Sequence, residues 1–419
     1  MSLRDNKLFA FVLNNFYFLI LVGYLISVIF LDFSIGYYIG LLLLVIAFFL
    51  ISKKQLKFSL PLIFLLIQLL SGLFYITNGM PLSLYIRGVL YCSLPILFSF
   101  VESGDIKKTM IKNVVAIFLS IVIGYILNYL TPSQFGKYLV YHSYSFYNDV
   151  SIIKSVFNGL YGVTMVASFS AICGLCFYFF WLYKKKIVYF LLFALSIVFL
   201  VIAARRSATA GFIVIFAIGN IFLFIKEKQY RKRIAIVSLL TLFAGLIVFL
   251  RYNDTILSFF ERNFGFTNAA SERSQNWVDN LNNIGSYLLF GKGLGSSGHL
   301  AYEMGYLSIH DNSYLFILME TGIVGLFVFA LVVLSAFKFF ICNRNKTITD
   351  YVSLAIILLF LIQAIGSNVF EFPVLSCLFW FSYSILRTSF IDSKRSVASL
   401  KYGPIIERRC SRMAVDSCE

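Results

Sequence analysis

Three arginines and one histidine are the residues of this chain best suited to chemistry on an anionic substrate. Arg205 and Arg206 stand in the sequence ARRSATAGF between two apolar runs, and Arg273 and His310 stand in a long polar segment. A guanidinium group stays charged and makes bidentate hydrogen bonds to a diphosphate. A neutral imidazole can accept a proton from a hydroxyl. The simpler alternatives are arginines that snorkel at a membrane interface and a histidine that caps a helix.

The residues that follow His310 favour the start of a helix. Asp311 or Asn312 can serve as the N-cap of a helix that opens at Ser313. The positive end of the helix dipole disfavours an imidazolium, and the same helix end can hold an anion. Glu320 follows inside an apolar run. There it either pairs with or orients an arginine, or it makes a structural hydrogen bond.

The polar segment also carries a short helical stripe. Ser271 can cap a short helix in which Arg273 comes one turn before Trp277. Trp277 is more simply interpreted as an interfacial anchor than as a residue that stacks on a substrate. Arg262 adds a further guanidinium group to the segment.

The sequence GKGLGS at 291–296 places three glycines at alternate positions. Backbone N–H groups of such a run can hold a phosphate, but a nucleotide-binding loop needs a strand before it and a helix after it. No clear strand–helix context surrounds this run, so a tight turn that shapes the segment is the favoured interpretation.

The composition predicts the fold class. Hydrophobic residues make up 60% of the 419 residues and charged residues only 13%, whereas a soluble domain has about a quarter charged residues. Apolar runs of the length that crosses a bilayer predict an all-α polytopic integral membrane protein with about twelve transmembrane helices and one large outer loop. The short alternating segments of a β-barrel are not seen. The predicted spans are 8–31, 34–52, 58–77, 82–101, 114–130, 159–182, 187–203, 208–225, 234–250, 313–337, 351–366 and 372–387.

The charge distribution predicts the orientation of these spans. The net charge is +16, and with twelve spans its Lys and Arg clusters fall on the same side as both termini. Such an excess marks the cytoplasmic side and contacts anionic lipids, so the charge does not indicate nucleic acid. We expect one transmembrane domain over 1–387, with outer loops at 131–158 and 251–312. A basic cytoplasmic tail is expected over 388–419, and no cleaved signal peptide is expected.

Seven cysteines are scattered along the chain and predict no disulfide framework. Cys173 and Cys176 form a CxxC pattern inside an apolar helix, but no histidine or further cysteine stands nearby in the sequence. We therefore expect no metal or redox site there.

Three motifs and one turn together resemble the O-antigen polymerase/ligase superfamily. The motifs are R-x-x-x-W at 273–277, G-x-G-x-G at 291–295 and H-D-N-S-Y-L-x-x-L-x-E-x-G-x-x-G at 310–325. ARRSATAGF is similar to the S-R-x-A turn that precedes them in this superfamily. The motifs lie between about residues 200 and 330, and the span count and outer loop resemble the family along the whole chain.

The resemblance implies a donor glycan carried on undecaprenyl diphosphate, acting at the periplasmic face of the bacterial inner membrane without a nucleotide, cofactor or metal. It implies that Arg206 and Arg273 bind the diphosphate and that His310 activates the acceptor hydroxyl. Asp311 stands between His310 and Asn312, and Arg205 stands where the family has a serine. The candidate substrate-binding residues are Arg205, Arg262, Trp277, Asn312 and Glu320.

The function expected from the resemblance is an O-antigen polymerase, a glycosyltransferase that moves a growing glycan onto the next lipid-linked repeat unit. A chain-length regulator is the implied protein partner. The closest alternative is an O-antigen ligase that transfers the glycan to lipid A–core. A transporter of lipid-linked sugars is a third alternative, but it would show an internal repeat and polar groups at the bilayer midplane.

Overall fold

The structure is a computed structural model. It describes residues 11–12, 15–29, 58–77, 79–101, 106–130, 140–147, 150–157, 163–203, 205–239, 269–282, 285–298, 301 and 312–415.

The described part of the chain is built mainly from helices. The helices are α1 Phe16–Ile29, α2 Leu60–Thr77, α3 Leu82–Gly88, α4 Ile106–Leu130, α5 Val163–Lys184, α6 Ile187–Ile202, α7 Arg206–Lys226, α8 Ala269–Asn282, α9 Ser313–Cys342, α10 Ile348–Gln363 and α11 Pro373–Val415. The α3 helix continues as a π-helical turn, Val89–Ser93, and a 3-10 segment, Leu94–Phe100. Shorter 3-10 turns are Lys228–Tyr230, Gly285–Tyr287 and Val369–Glu371, and residues 231–239 are also helical.

Seven helical stretches in the described residues are long and apolar enough to cross a membrane, and they include α2, α5, α7 and α9. The apolar helices α6 and α10 are shorter. The protein is therefore a helical, membrane-integral protein, as predicted. The predicted span 34–52 and most of the predicted span 234–250 lie outside the described residues, so the number twelve stays a prediction.

The helix α5 lies at the centre of the bundle. It packs against α4, α6, α7 and α10, and its side chains from Val166 to Phe180 are buried. Small residues on this helix let its neighbours approach closely. A Cβ atom placed on Gly174, for example, would lie 3.1 Å from the ring of Phe212 on α7.

An aromatic cluster joins α9, α10 and α11 beneath the connection between the last two helices. The Phe370 ring lies 5.2 Å from the Phe329 ring, 5.9 Å from the Phe360 ring and 5.1 Å from the Phe379 ring, measured between centroids. Edge-to-face aromatic pairs are favourable and have a specific geometry. The cluster therefore anchors the connection between α10 and α11 to the three helices through Phe370.

The loop predicted at 131–158 contains a two-stranded hairpin. The strand β1, Val140–Tyr147, pairs antiparallel with β2, Val150–Phe157. The sequences VYHSYSFY and VSIIKSVF are rich in aromatic and β-branched residues, and such residues suit a pleated sheet.

Candidate functional site

The helix α7 begins at the two adjacent arginines. Arg205 has extended backbone and occupies the N-cap position, and Arg206 is the first helical residue. The carbonyl oxygen of Arg205 accepts hydrogen bonds from the N–H and the hydroxyl of Thr209, at 3.1 Å and 3.0 Å. The Nε atom of Arg205 is buried and has no hydrogen-bond partner among the described residues. A buried donor without a partner is costly, so this position suits an anionic ligand.

The helix α9 begins at Asn312. The Asn312 side chain accepts hydrogen bonds from the N–H groups of Tyr314 and Leu315, at 3.0 Å and 3.1 Å. Asn312, not Asp311, is therefore the N-cap, because an asparagine oxygen satisfies the free N–H groups of the first turn.

The starts of α7 and α9 meet at the connection between α10 and α11. The hydroxyls of Ser207 and Ser367 share a hydrogen bond of 2.7 Å, and the Ser313 hydroxyl donates to the carbonyl oxygen of Ser367 at 2.8 Å. The backbone N–H of Asn312 donates to the Oδ1 atom of Asn368 at 3.0 Å. Two motif segments far apart in the chain are thus joined through Ser367 and Asn368. The contact region formed by Ser207, Asn312, Ser313, Ser367 and Asn368 is here called the joint.

The run GKGLGSSG at 291–298, here called the glycine loop, inserts between α2, α3 and α9. Gly291, Gly293 and Gly295 have φ angles of 77°, 97° and 85°, which side chains with a Cβ rarely adopt. A Cβ atom on Gly295 would lie 2.3 Å from the Leu84 carbonyl oxygen on α3. Leu294 is fully buried in the bundle. The glycines are therefore required both by the turn and by the close approach of the backbone.

The N–H groups of the glycine loop are used within the protein. The Lys292 N–H donates to the Met319 carbonyl oxygen at 2.6 Å, and the Gly293 N–H donates to the Glu320 carbonyl oxygen at 3.1 Å. The Gly295 N–H donates to the Glu320 carboxylate at 2.8 Å. These contacts support the tight-turn interpretation over a phosphate cradle.

The side chain of Lys292 is partly buried beside Tyr287. Its Nζ atom lies 5.6 Å from the centroid of the Tyr287 ring, and burial lowers the pKa of this amine.

A break in α9 frees the backbone carbonyl groups that accept these hydrogen bonds from the glycine loop. Gly322 has φ 67° and ψ −171°, so α9 consists of two helical halves. The N–H groups of Ile323 and Val324 donate to the carbonyl oxygens of Leu288 and Leu289, at 2.9 Å and 3.3 Å. The break frees carbonyl groups at the end of the first half, because they no longer accept from the next helical turn. The glycine loop supplies their donors.

Glu320 is held inside the bundle by the glycine loop. The side chain is 1% exposed, and its Oε1 atom accepts the hydrogen bond from Gly295. Its Oε2 atom has no partner among the described residues. Glu320 lines a cavity of about 10 Å³ together with Arg87 and Glu371, which is room for about one water. Of the two roles predicted for Glu320, the geometry supports the structural hydrogen bond.

The predicted short helix around Arg273 exists as α8, Ala269–Asn282. It begins two residues before Ser271, so Ser271 is not its cap, and that prediction was wrong. Trp277 is half-buried and Leu281 is exposed, as suits a helix that lies on a membrane or on other helices. The side chain of Arg273 lies outside the described part of the structure.

The other predicted site residues divide into three groups. His310 and Arg262 lie outside the described residues. The structure brings Arg205 and Arg206 to the same joint as Asn312, whereas Glu320 contacts the glycine loop.

Sequence reasoning missed Ser367, Asn368 and Glu371. A signal was available, because the polar run GSN followed by a glutamate interrupts two apolar runs at 366–371. Asn368 and Glu371 are 3% and 7% exposed, and polar groups buried to this extent normally have a structural or functional reason.

The helical bundle, the polar helix ends and the inserted glycine loop define a membrane-integral protein with a candidate site at one end of its bundle. Residues 191–330 match the Wzy_C family model, described as O-antigen ligase, and this match is consistent with the O-antigen polymerase/ligase superfamily. The matched stretch runs from α6 past the break in α9 and includes the two arginines, the glycine loop and Asn312. No curated protein matches the chain.

Proposed function

We propose that this protein is an O-antigen polymerase. It transfers a growing glycan from undecaprenyl diphosphate to the next lipid-linked repeat unit at the periplasmic face of the inner membrane. The observation that carries the proposal is the joint at which the arginine-bearing start of α7 meets the start of α9. There an unpartnered guanidinium nitrogen of Arg205 lies on the segment bonded through Ser207 and Ser367 to the residues that follow His310.

The chemistry needs few groups. The oxygen of an acceptor sugar hydroxyl attacks the anomeric carbon of the donor, and the bond from that carbon to the diphosphate oxygen breaks. Arg205, Arg206 and Arg273 stabilise the negative charge on the departing lipid diphosphate, an electrostatic contribution commonly worth several kcal/mol. His310 accepts the proton of the attacking hydroxyl.

The distribution of basic residues supports a periplasmic site. The ends of α6, α7 and α9 remote from the joint carry basic residues, namely Lys186 before α6, Lys226 at the end of α7 and Lys346 after α9. An excess of Lys and Arg marks the cytoplasmic side of a membrane protein. The joint lies at the opposite ends of the same helices, where a lipid-linked glycan on the periplasmic leaflet reaches it.

The second candidate function is an O-antigen ligase, favoured by the description of the matching family model. A ligase and a polymerase use the same lipid diphosphate leaving group and differ in the acceptor. The arginines therefore serve both, and the acceptor decides between them.

The test is the lipopolysaccharide pattern of a deletion strain complemented with the wild-type gene. A polymerase predicts core plus a single repeat in the deletion strain and a restored ladder on complementation. Bare core in the deletion strain supports the ligase instead. Transfer between purified lipid-linked glycans then separates an enzyme from a transporter, because a transporter makes no longer product.

A further inference from the structure

We propose that Ser367 and Asn368 are positioning residues that hold the arginine-bearing start of α7 against the start of α9. The inference rests on the proposed function, because the positioning matters only if both segments act on one substrate. Neither residue lies in the stretch that matches the family model, which ends at residue 330.

The contacts at this joint end within three residues of a candidate catalytic residue in the sequence. Ser207, which shares a hydrogen bond of 2.7 Å with Ser367, directly follows Arg206. Asn312, whose backbone N–H donates to Asn368 at 3.0 Å, stands two residues after His310. The two contacts thus hold the backbone beside Arg206 and the backbone at Asn312 against the same connection.

Ser367 and Asn368 act through these partners and do not themselves contact substrate. They are 7% and 3% exposed, and their polar atoms face protein groups. Asn368 also donates from Nδ2 to the Oε2 atom of Glu371 at 3.4 Å. A buried amide with partners on both sides has little freedom to move, because a broken buried hydrogen bond leaves an unsatisfied group.

The connection is itself fixed by the aromatic cluster. Phe370, two residues after Asn368, packs against Phe329, Phe360 and Phe379. The connection therefore serves as a fixed support to which the starts of both α7 and α9 are hydrogen-bonded. A misplacement of about 1 Å between reacting groups can lower a rate about 100-fold. We therefore expect a loosened joint to lower kcat more than it weakens the binding of the lipid-linked donor.

The first experiment compares Asn368→Ala with Asn368→Asp in purified protein. Both variants lose the amide donor, but only Asn368→Asp keeps an oxygen acceptor for the Asn312 N–H, with one proton shared between the introduced carboxyl group and that of Glu371. We expect Asn368→Ala to lower kcat for glycan transfer about 10- to 100-fold with KM for the lipid-linked donor changed less than about 3-fold. We expect Asn368→Asp to recover most of the kcat.

The matched control is Ser335→Ala. It removes another contact between helices, the hydrogen bond of 2.9 Å between the Ser335 and Tyr383 hydroxyls, away from the joint. Its kcat should stay near the wild-type value. A wild-type kcat in Asn368→Ala, or an equal loss in Asn368→Ala, Asn368→Asp and Ser335→Ala, overturns the positioning role.

A cross-link tests the joint without any activity measurement. A Cβ atom on Gly366 lies 3.4 Å from the Ser207 Cβ, close to the ~3.5–4.5 Å of disulfides. The double variant Ser207→Cys with Gly366→Cys should therefore form an intramolecular disulfide on oxidation, and neither single variant should. Absence of the cross-link overturns the joint. A wild-type protein that transfers no glycan, beside a double variant that cross-links, overturns the proposed function and the positioning role but leaves the joint standing.

Discussion

The carboxylate of Glu320 accepts a hydrogen bond of 2.8 Å from the backbone N–H of Gly295, which lies 25 residues earlier in the chain. The carbonyl oxygen of Glu320 accepts a second bond, from the N–H of Gly293. One residue at the end of a half-helix thus satisfies two donors of a buried loop. Because a buried loop must find partners for its backbone groups, this pairing anchors the polar segment between α8 and α9 in the bundle.

The first prediction concerns this carboxylate. Glu320→Ala removes the acceptor of the buried Gly295 N–H, and an unsatisfied buried donor costs about 1–3 kcal/mol. We expect a lower thermal unfolding midpoint in detergent, measured by intrinsic fluorescence. Glu320→Gln keeps an oxygen at the same place and should unfold close to the wild-type temperature. If both substitutions destabilise equally, the hydrogen bond to Gly295 is not what stabilises the loop.

The second prediction concerns the break in α9. A Cβ atom on Gly322 would lie 2.2 Å from the Leu289 carbonyl oxygen, and the φ of 67° already disfavours any other residue. Gly322→Ala should therefore destabilise the protein by more than about 2 kcal/mol, seen as loss of folded protein on size-exclusion chromatography. Gly219→Ala on α7 is the control, because its Cβ would meet Phe179 at an ordinary 3.4 Å. Equal behaviour of the two variants would contradict the break.

The third prediction concerns the arginines at the start of α7. Arg205→Ala and Arg206→Ala should each lower glycan transfer about 10²–10³-fold, the effect typical of one lost charge-stabilising donor. Arg205→Lys should restore little, because an ammonium cannot reproduce the planar fork of a guanidinium. The measurement is the initial rate of transfer between purified lipid-linked glycans.

The control for the arginines is Arg344→Ala. Arg344 is exposed and follows α9 at the end remote from the joint, so its removal should leave the rate unchanged. If Arg344→Ala slows transfer as much as the two α7 variants, the lower rate reflects the change in net charge. That result would contradict the proposal that Arg205 and Arg206 bind the diphosphate.

The fourth prediction concerns His310. His310→Ala should lower transfer about 10²–10⁴-fold, the range of a lost general base. His299 stands outside the three motifs at 273–277, 291–295 and 310–325, so the control variant His299→Ala should have little effect. Because a base must be neutral, the wild-type rate should fall in acid as the imidazole is protonated. The His310→Ala variant should lose this acidic limb of the pH–rate profile. An acidic limb that persists in His310→Ala would assign the base to another group.

Hydrophobic length and helix capping by themselves determined much of this protein. Apolar runs near 20 residues predicted the membrane helices, and seven described helical stretches are long and apolar enough to cross a membrane. Asn312 was correctly among the two candidate caps, because N-capping is a local interaction between a side chain and the next turn. The alternate glycines at 291–296 correctly indicated a tight turn, because a turn is also formed by neighbouring residues.

Only the tertiary structure decided which polar residues meet. Ser207 and Ser367 are 160 residues apart, and nothing in the local pattern around either one specifies the other. Their hydrogen bond depends on how α7 and α10 pack against each other, which is set by side-chain shape along both helices. The partner of Glu320 is likewise a backbone N–H, which every residue except proline carries, so residue types alone cannot identify it. Spans, caps and turns follow from neighbouring residues, whereas the joint and the buried loop follow from long-range packing.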